Sequence, residues 1–123
     1  MLPVASVERS AEFYKLLGFE VGNRVPRTGL MNWAWLYSPT AADWRQGPNL
    51  MIARCDGPIQ HPPQRIIFYL YAADLVGLRN HLIDSGLTPG PITYPDYMPK
   101  GEFHIFDYDG HGLMIGQSFE DSP

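Results

Sequence analysis

Cysteine is nearly missing: Cys55 stands alone, so no disulfide can form within the chain, and nothing marks a secreted disulfide scaffold. A reducing, cytoplasmic setting is the expectation. Cys55 precedes Asp56 and Gly57 at an expected strand end, with no activating base identifiable, so it reads as structural. Charge is also sparse. Charged residues make up 18% of the 123, and the net charge is −4 with no basic run. A chain without a basic field has nothing to neutralise phosphates, which argues against nucleic acid or an anionic membrane surface as partner. No apolar run approaches the roughly 20 residues of a membrane span. The start, MLPVASVERS, lacks the charged and apolar regions of a signal peptide. It begins almost inside a strand, so part of that strand is expected upstream of Met1.

What the chain does have is apolar material, 45% of its residues, enough for a sizeable core. It also repeats itself. Ser6 to Leu17 reads as a helix, with Ser6 as cap, Glu8 near the positive end of the dipole and Val7, Ala11, Tyr14 and Leu17 at helical spacing. Gly18 supplies the stop, and Phe19 to Val25 follows as a strand. Asp74 to Ser85 repeats the design, with Asp74 as cap, Leu75, Leu78 and Leu82 as the stripe and Gly86 as stop. Gly18 and Gly86 stand 68 residues apart, as do Gly22 and Gly90, so LGFEVG matches SGLTPG and the chain is an internal duplication.

Strands are expected over Leu30 to Tyr37 and Asn49 to Arg54 in the first half, and over Glu102 to Asp107 and Gly112 to Gln117 in the second. Before the helices lie Leu2 to Ala5 and Arg65 to Tyr71. Each half is then a strand, a helix and three strands. Loops rich in Pro, Gly and Asp are expected over Ser38 to Pro48 and Asp56 to Gln64, with a Pro-rich and Tyr-containing one over Pro91 to Lys100.

Three stretches, VASVERSAEFYKLLGFEVG, AADLVGLRNHLIDSGL and DYDGHGLMIGQ, resemble the vicinal oxygen chelate superfamily of glyoxalase I, bleomycin and fosfomycin resistance proteins and extradiol dioxygenases. Tyr108 stands where that superfamily usually has the proline of an Asp-Pro-Asp-Gly turn. The resemblance implies an α+β fold. It is a single domain over 1–123 of two tandem βαβββ modules, about 1–57 and 64–119, with curved mixed sheets forming a cup and helices on the convex faces. Homodimers are common in that superfamily.

Its enzymes draw His, Glu or Gln metal ligands from the first and last strand of each module. Carried over, those positions fall on Met51, Ile67 and Met114, with the fourth at or before Met1. A slip of one residue offers Leu50 or Ile52, Ile66 or Phe68, and Leu113 or Ile115. None of these ligates a hard divalent ion, and methionine sulfur suits soft Cu(I). No metal and no cofactor is therefore expected. The histidines show no paired spacing: His61 lies in a loop, and His81 and His111 read as solvated.

Side chains alternate along a strand, so these positions sort the faces. Ile67, Tyr69 and Tyr71 point into the cup, as do Trp33, Trp35 and Tyr37, while Ala34, Leu36, Leu50, Ile52, Leu113 and Ile115 back onto the helices. If Asp107 pairs with His111 around a three-residue loop with Gly110 left-handed, His104 lies opposite Met114, and Glu102, His104 and Phe106 face inward. The expected ligand-binding set is Trp33, Trp35, Tyr37, Met51, Tyr69, Tyr71, Glu102, His104 and Met114. Aromatic walls with few polar groups suit a flat apolar or cationic organic molecule. The expected function is metal-free small-molecule binding. The alternatives are a lyase or dioxygenase-type enzyme of the same superfamily, with His104 or Glu102 as acid or base in a metal-free version, and a dimeric structural or regulatory module with a closed cavity.

Overall fold

A computed structural model describes residues 1–41, 43, 45–61 and 66–118. The chain divides into two compact units, Met1–His61 and Pro62–Pro123. Arg65, the expected start of the second half's first strand, and residues 64 and 119 at the expected module edges lie outside the described residues.

The first unit runs β1 (Leu2–Val4), α1 (Val7–Leu16), β2 (Glu20–Val25), β3 (Trp33–Tyr37) and β4 (Asn49–Arg54). Its sheet has the order β1-β4-β3-β2, with β1 parallel to β4 and the other pairs antiparallel. Ser6 caps α1 by accepting from the Arg9 N–H at 3.2 Å. At the other end Gly18 has φ 96°, and the Phe19 N–H reaches the Tyr14 carbonyl at 3.0 Å, closing a glycine-ended C-cap. The helix buries Val7, Ser10, Ala11, Phe13 and Tyr14 against the sheet face that carries Ala34, Leu36 and Ile52. Phe13, outside the expected stripe, is fully buried and meets Tyr14 edge to face at 5.1 Å.

The second unit runs β5 (Ile67–Ala72), α2 (Leu75–Asp84), β6 (Glu102–Phe106) and β7 (Gly112–Gln117). Here the order is β5-β7-β6, with β5 parallel to β7. Asp74 accepts from the Gly77 N–H at 3.0 Å, and the Leu87 N–H reaches the Leu82 carbonyl at 3.0 Å after Gly86. Every one of these capping residues sits 68 positions after its counterpart around α1, so the duplication holds down to single hydrogen bonds. Gln117 adds a second brace: its side-chain oxygen accepts from the Leu75 N–H at 2.9 Å.

One element departs from expectation. The first strand expected after α2, the counterpart of β2, does not form. Pro89 and Pro91 lack N–H groups, so the Leu87–Thr93 stretch offers too few donors for a ladder. What remains is a Gly90 N–H bond to the His104 carbonyl at 2.8 Å and a bridge between Thr93 and Glu102. Elsewhere β4 and β7 have the expected bounds. β3 starts at Trp33 rather than Leu30, because 30–32 belong to the turn where the Met31 N–H donates to the Glu8 carboxylate at 2.7 Å.

Candidate functional site

In the first unit the alternation of β3 is as expected: Ala34 and Leu36 are buried, while Trp33, Trp35 and Tyr37 are half-buried on the other face. Trp35 lies opposite Met51, and Trp33 opposite Ala53. Met51 is 47% exposed. The Trp35 and Tyr37 rings stack at 5.3 Å with a 20° tilt. Gly22 lies beneath the indole: a Cβ there would stand 2.5 Å from Trp35 Cε3. That glycine sits where the β2–β3 register shifts, between Val21 and Arg24, so a bulge and a missing side chain together make room for the ring. Trp35 is thus packed over Gly22 and against Tyr37, and is half-buried.

The second unit carries the other expected residues on one face of its sheet. Tyr69, Met114 and His104 form one row across β5, β7 and β6, and Tyr71, Gly116 and Glu102 form the next. The hairpin follows the three-residue form: the Asp107 N–H bonds the His111 carbonyl at 2.9 Å, and Gly110 has φ 81°. Glu102 is buried, 2% exposed. It accepts from the Tyr69 hydroxyl at 2.9 Å and from the Tyr97 hydroxyl through its second oxygen. Burial first, then the bond to Glu102 and its negative charge, push the Tyr69 phenol well above its ordinary pKa. Tyr97 is raised too, chiefly by its bond to Glu102. Both remain donors at neutral pH. Gly116 makes the Tyr69 contact possible, since a Cβ there would lie 2.8 Å from the hydroxyl. His104 packs against Phe106 at 4.5 Å, over Gly112, and its Nε2 is buried without a hydrogen-bond partner.

All nine expected residues therefore fall on the predicted strand faces, in two groups: Trp33, Trp35, Tyr37 and Met51 in one unit, and Tyr69, Tyr71, Glu102, His104 and Met114 in the other. Hollows of about 650 Å³ beside Lys15, Phe19 and Thr40, and about 220 Å³ beside Thr88, Phe106 and Tyr108, are lined by none of them. Sequence reasoning misses Tyr97 and Met98. Tyr97 lies in a loop where alternation says nothing, and its one signal is the presence of two tyrosines within 91–100. His111 is half-buried rather than solvated, since its N–H is tied to the Asp107 carboxylate at 2.9 Å.

No family model and no curated protein matches the chain. Solved structures do. TioX from Micromonospora sp. ML1 is 16% identical, with a TM-score of 0.72 over 96% of this chain and 94% of that one. A bleomycin-binding protein complexed with bleomycin is 17% identical, with a TM-score of 0.70 over 96% and 94%. A variant of the fosfomycin resistance protein FosX from Listeria monocytogenes, complexed with Mn(II) and a dihydroxypropylphosphonic acid, is 12% identical, with 0.69 over 98% and 89%. The chain has the vicinal oxygen chelate fold.

In that fold the strand positions assigned to metal ligands can be tested for donors. Met51 and Met114 lie on the open faces, as does Ile67, which pairs with Gly112. In register with Met114 is Tyr69 instead, whose hydroxyl is spent on Glu102. His104 brings an imidazole to this face, and the Glu102 carboxylate is held by two phenols. Among the described residues no three His, Cys, Asp or Glu side chains come together in a set that could hold a metal ion. Thioether and hydrocarbon side chains thus stand at Met51, Ile67 and Met114, the places the resemblance assigns to metal ligands.

Proposed function

We propose that the chain is a metal-free small-molecule binding protein that takes a flat aromatic or cationic organic ligand on the open aromatic faces of its sheets. The observation that carries this reading is Trp35: its indole is stacked on Tyr37, seated over Gly22 and half-buried rather than fully buried, which favours a platform over a core ring. The likeness to a bleomycin-binding protein supports the same class of ligand. Met51, Ile67, Tyr71 and Phe106, each about half exposed or more, favour a homodimer that covers part of these faces. A reducing cytoplasm suits the free Cys55.

A fluorescence titration with flat aromatic cations tests the reading. Ligands should quench tryptophan emission, divalent metals should not compete, and Trp35→Ala should weaken binding roughly tenfold or more, the scale of an aromatic anchor, with the far-ultraviolet dichroism unchanged. An unfolded Trp35→Ala variant would make the ring core instead. Turnover by His104, whose Nε2 has no partner, is the second reading. A compound converted by the wild type, yet bound and left unconverted by His104→Asn, would favour it.

A further inference from the structure

Glu102 is an anomaly for this scaffold. In the first unit the same place on the third strand is Trp33, opposite Ala53, as Glu102 is opposite Gly116. The duplicated sheet therefore folds with an apolar ring there and does not require a carboxylate. Removing a carboxylate from water costs several kcal/mol unless charge or hydrogen bonds compensate. Two neutral phenols hold Glu102, one on each oxygen, and among the described residues no cationic side chain is ion-paired with it. A carboxylate has about four acceptor positions, so two remain. The cover is thin. Tyr97, which caps one oxygen, is 68% exposed, and Tyr71, whose ring lies 5.2 Å from that of Tyr69, is 64% exposed. Phenol faces around a shielded negative charge are the surroundings a desolvated cation favours.

We propose that Glu102, walled by Tyr69, Tyr71 and Tyr97, seats a protonated organic amine, the Tyr97 hydroxyl giving way as the ammonium enters. This rests on the ligand-binding reading above and narrows its ligand class to amines with an aromatic or alkyl body. A purely bracing role for Glu102, tying the loop of Tyr97 to the sheet, predicts no preference for charge.

The test is a pair of matched probes, 2-phenylethylammonium and its neutral twin 2-phenylethanol, titrated into the full chain and followed by amide shifts along β6 and β7. The ammonium should bind at least tenfold more tightly than the alcohol. Glu102→Gln, which keeps the shape and an acceptor, should remove that preference. Tyr97→Phe frees one carboxylate oxygen, so the ammonium should bind several-fold more tightly. That second variant decides the matter if Glu102→Gln does not fold. Equal affinity for the two probes, a preference that survives Glu102→Gln, or ammonium binding unchanged or weakened in Tyr97→Phe would overturn the proposal. Absence of ammonium binding while flat neutral aromatics still quench tryptophan would also overturn it and leave the broader reading standing. If no aromatic probe binds at all, both fall.

Discussion

The two halves of the chain share caps, stops and strand register, yet they use the same scaffold differently. Trp33, Trp35 and Tyr37 in the first unit correspond to Glu102, His104 and Phe106 in the second, each 69 residues on, against partners Ala53, Met51 and Asn49 matched by Gly116, Met114 and Gly112. One open face is a stack of rings. The other is a polar network among rings. The backing layers differ as well: α1 buries five residues, whereas α2 buries Leu75 and Leu82 and leaves Val76 and Ile83 exposed. Duplication fixed the backbone plan, and the side chains on one face then diverged in chemistry without disturbing it.

The largest expected effect tests the backing layers. Phe13→Ala removes a fully buried ring and should cost about 3–5 kcal/mol, a large share of a typical domain's stability. Leu82→Ala, the best-buried position of α2, should cost about 2–4 kcal/mol. Urea unfolding measures both. Native-state hydrogen exchange should show α2 opening at lower free energy than α1, because fewer apolar contacts hold it. An α2 protected as well as α1 would erase this half of the contrast.

A smaller effect probes the open faces. Gly116→Ala places a methyl 2.8 Å from the Tyr69 hydroxyl and 3.1 Å from Met98 Cε. Both are ends of long side chains and can move, but Tyr69 then leaves Glu102 with one donor fewer. A loss of about 1–3 kcal/mol is expected, the cost of an unsatisfied buried polar group. The matching place in the first unit already holds Ala53, so Ala53→Gly should cost only the roughly 0.5–1 kcal/mol of backbone freedom. Similar losses at both places would mean that the Glu102 network contributes nothing.

Much of this was legible in the sequence because the signals were local or periodic. Ser6, Gly18, Asp74 and Gly86 mark helix ends by their own chemistry, and alternation in Trp33 to Tyr37 sorts the strand's two faces. The matching glycines Gly22 and Gly90 proved meaningful beyond alignment: the first lies under Trp35, and the second binds the backbone of His104, the residue in the equivalent place. Two features were not legible. The missing strand after α2 depends on counting lost donors at Pro89 and Pro91 rather than on hydrophobic pattern. The Tyr97–Glu102 bond joins a loop to a strand, and no periodicity reaches across such a loop.

The smallest effect is an alkaline one, and its sign follows from the raised Tyr69 phenol. A group whose folded pKa lies above the unfolded value of about 10 keeps its proton longer when folded. Its stabilisation is then complete below about pH 10 and is lost as pH rises through the folded value. The wild type should therefore lose unfolding free energy between about pH 9 and pH 11, by roughly 1 kcal/mol or less, since water still reaches part of the Tyr69 ring and screens its interaction with Glu102. Tyr69→Phe should begin less stable at about pH 8 and lose less over the same interval, since only Tyr97 is left to titrate against Glu102. Urea midpoints at the two ends of that interval provide the comparison. The same variant also bears on the contrast between the halves, because the alkaline loss is assigned to the face on which Tyr69 donates to the buried Glu102. If Tyr69→Phe kept the full slope of the wild type, the Tyr69–Glu102 bond would carry none of the alkaline sensitivity, and the polar face would lose its distinction from the aromatic one.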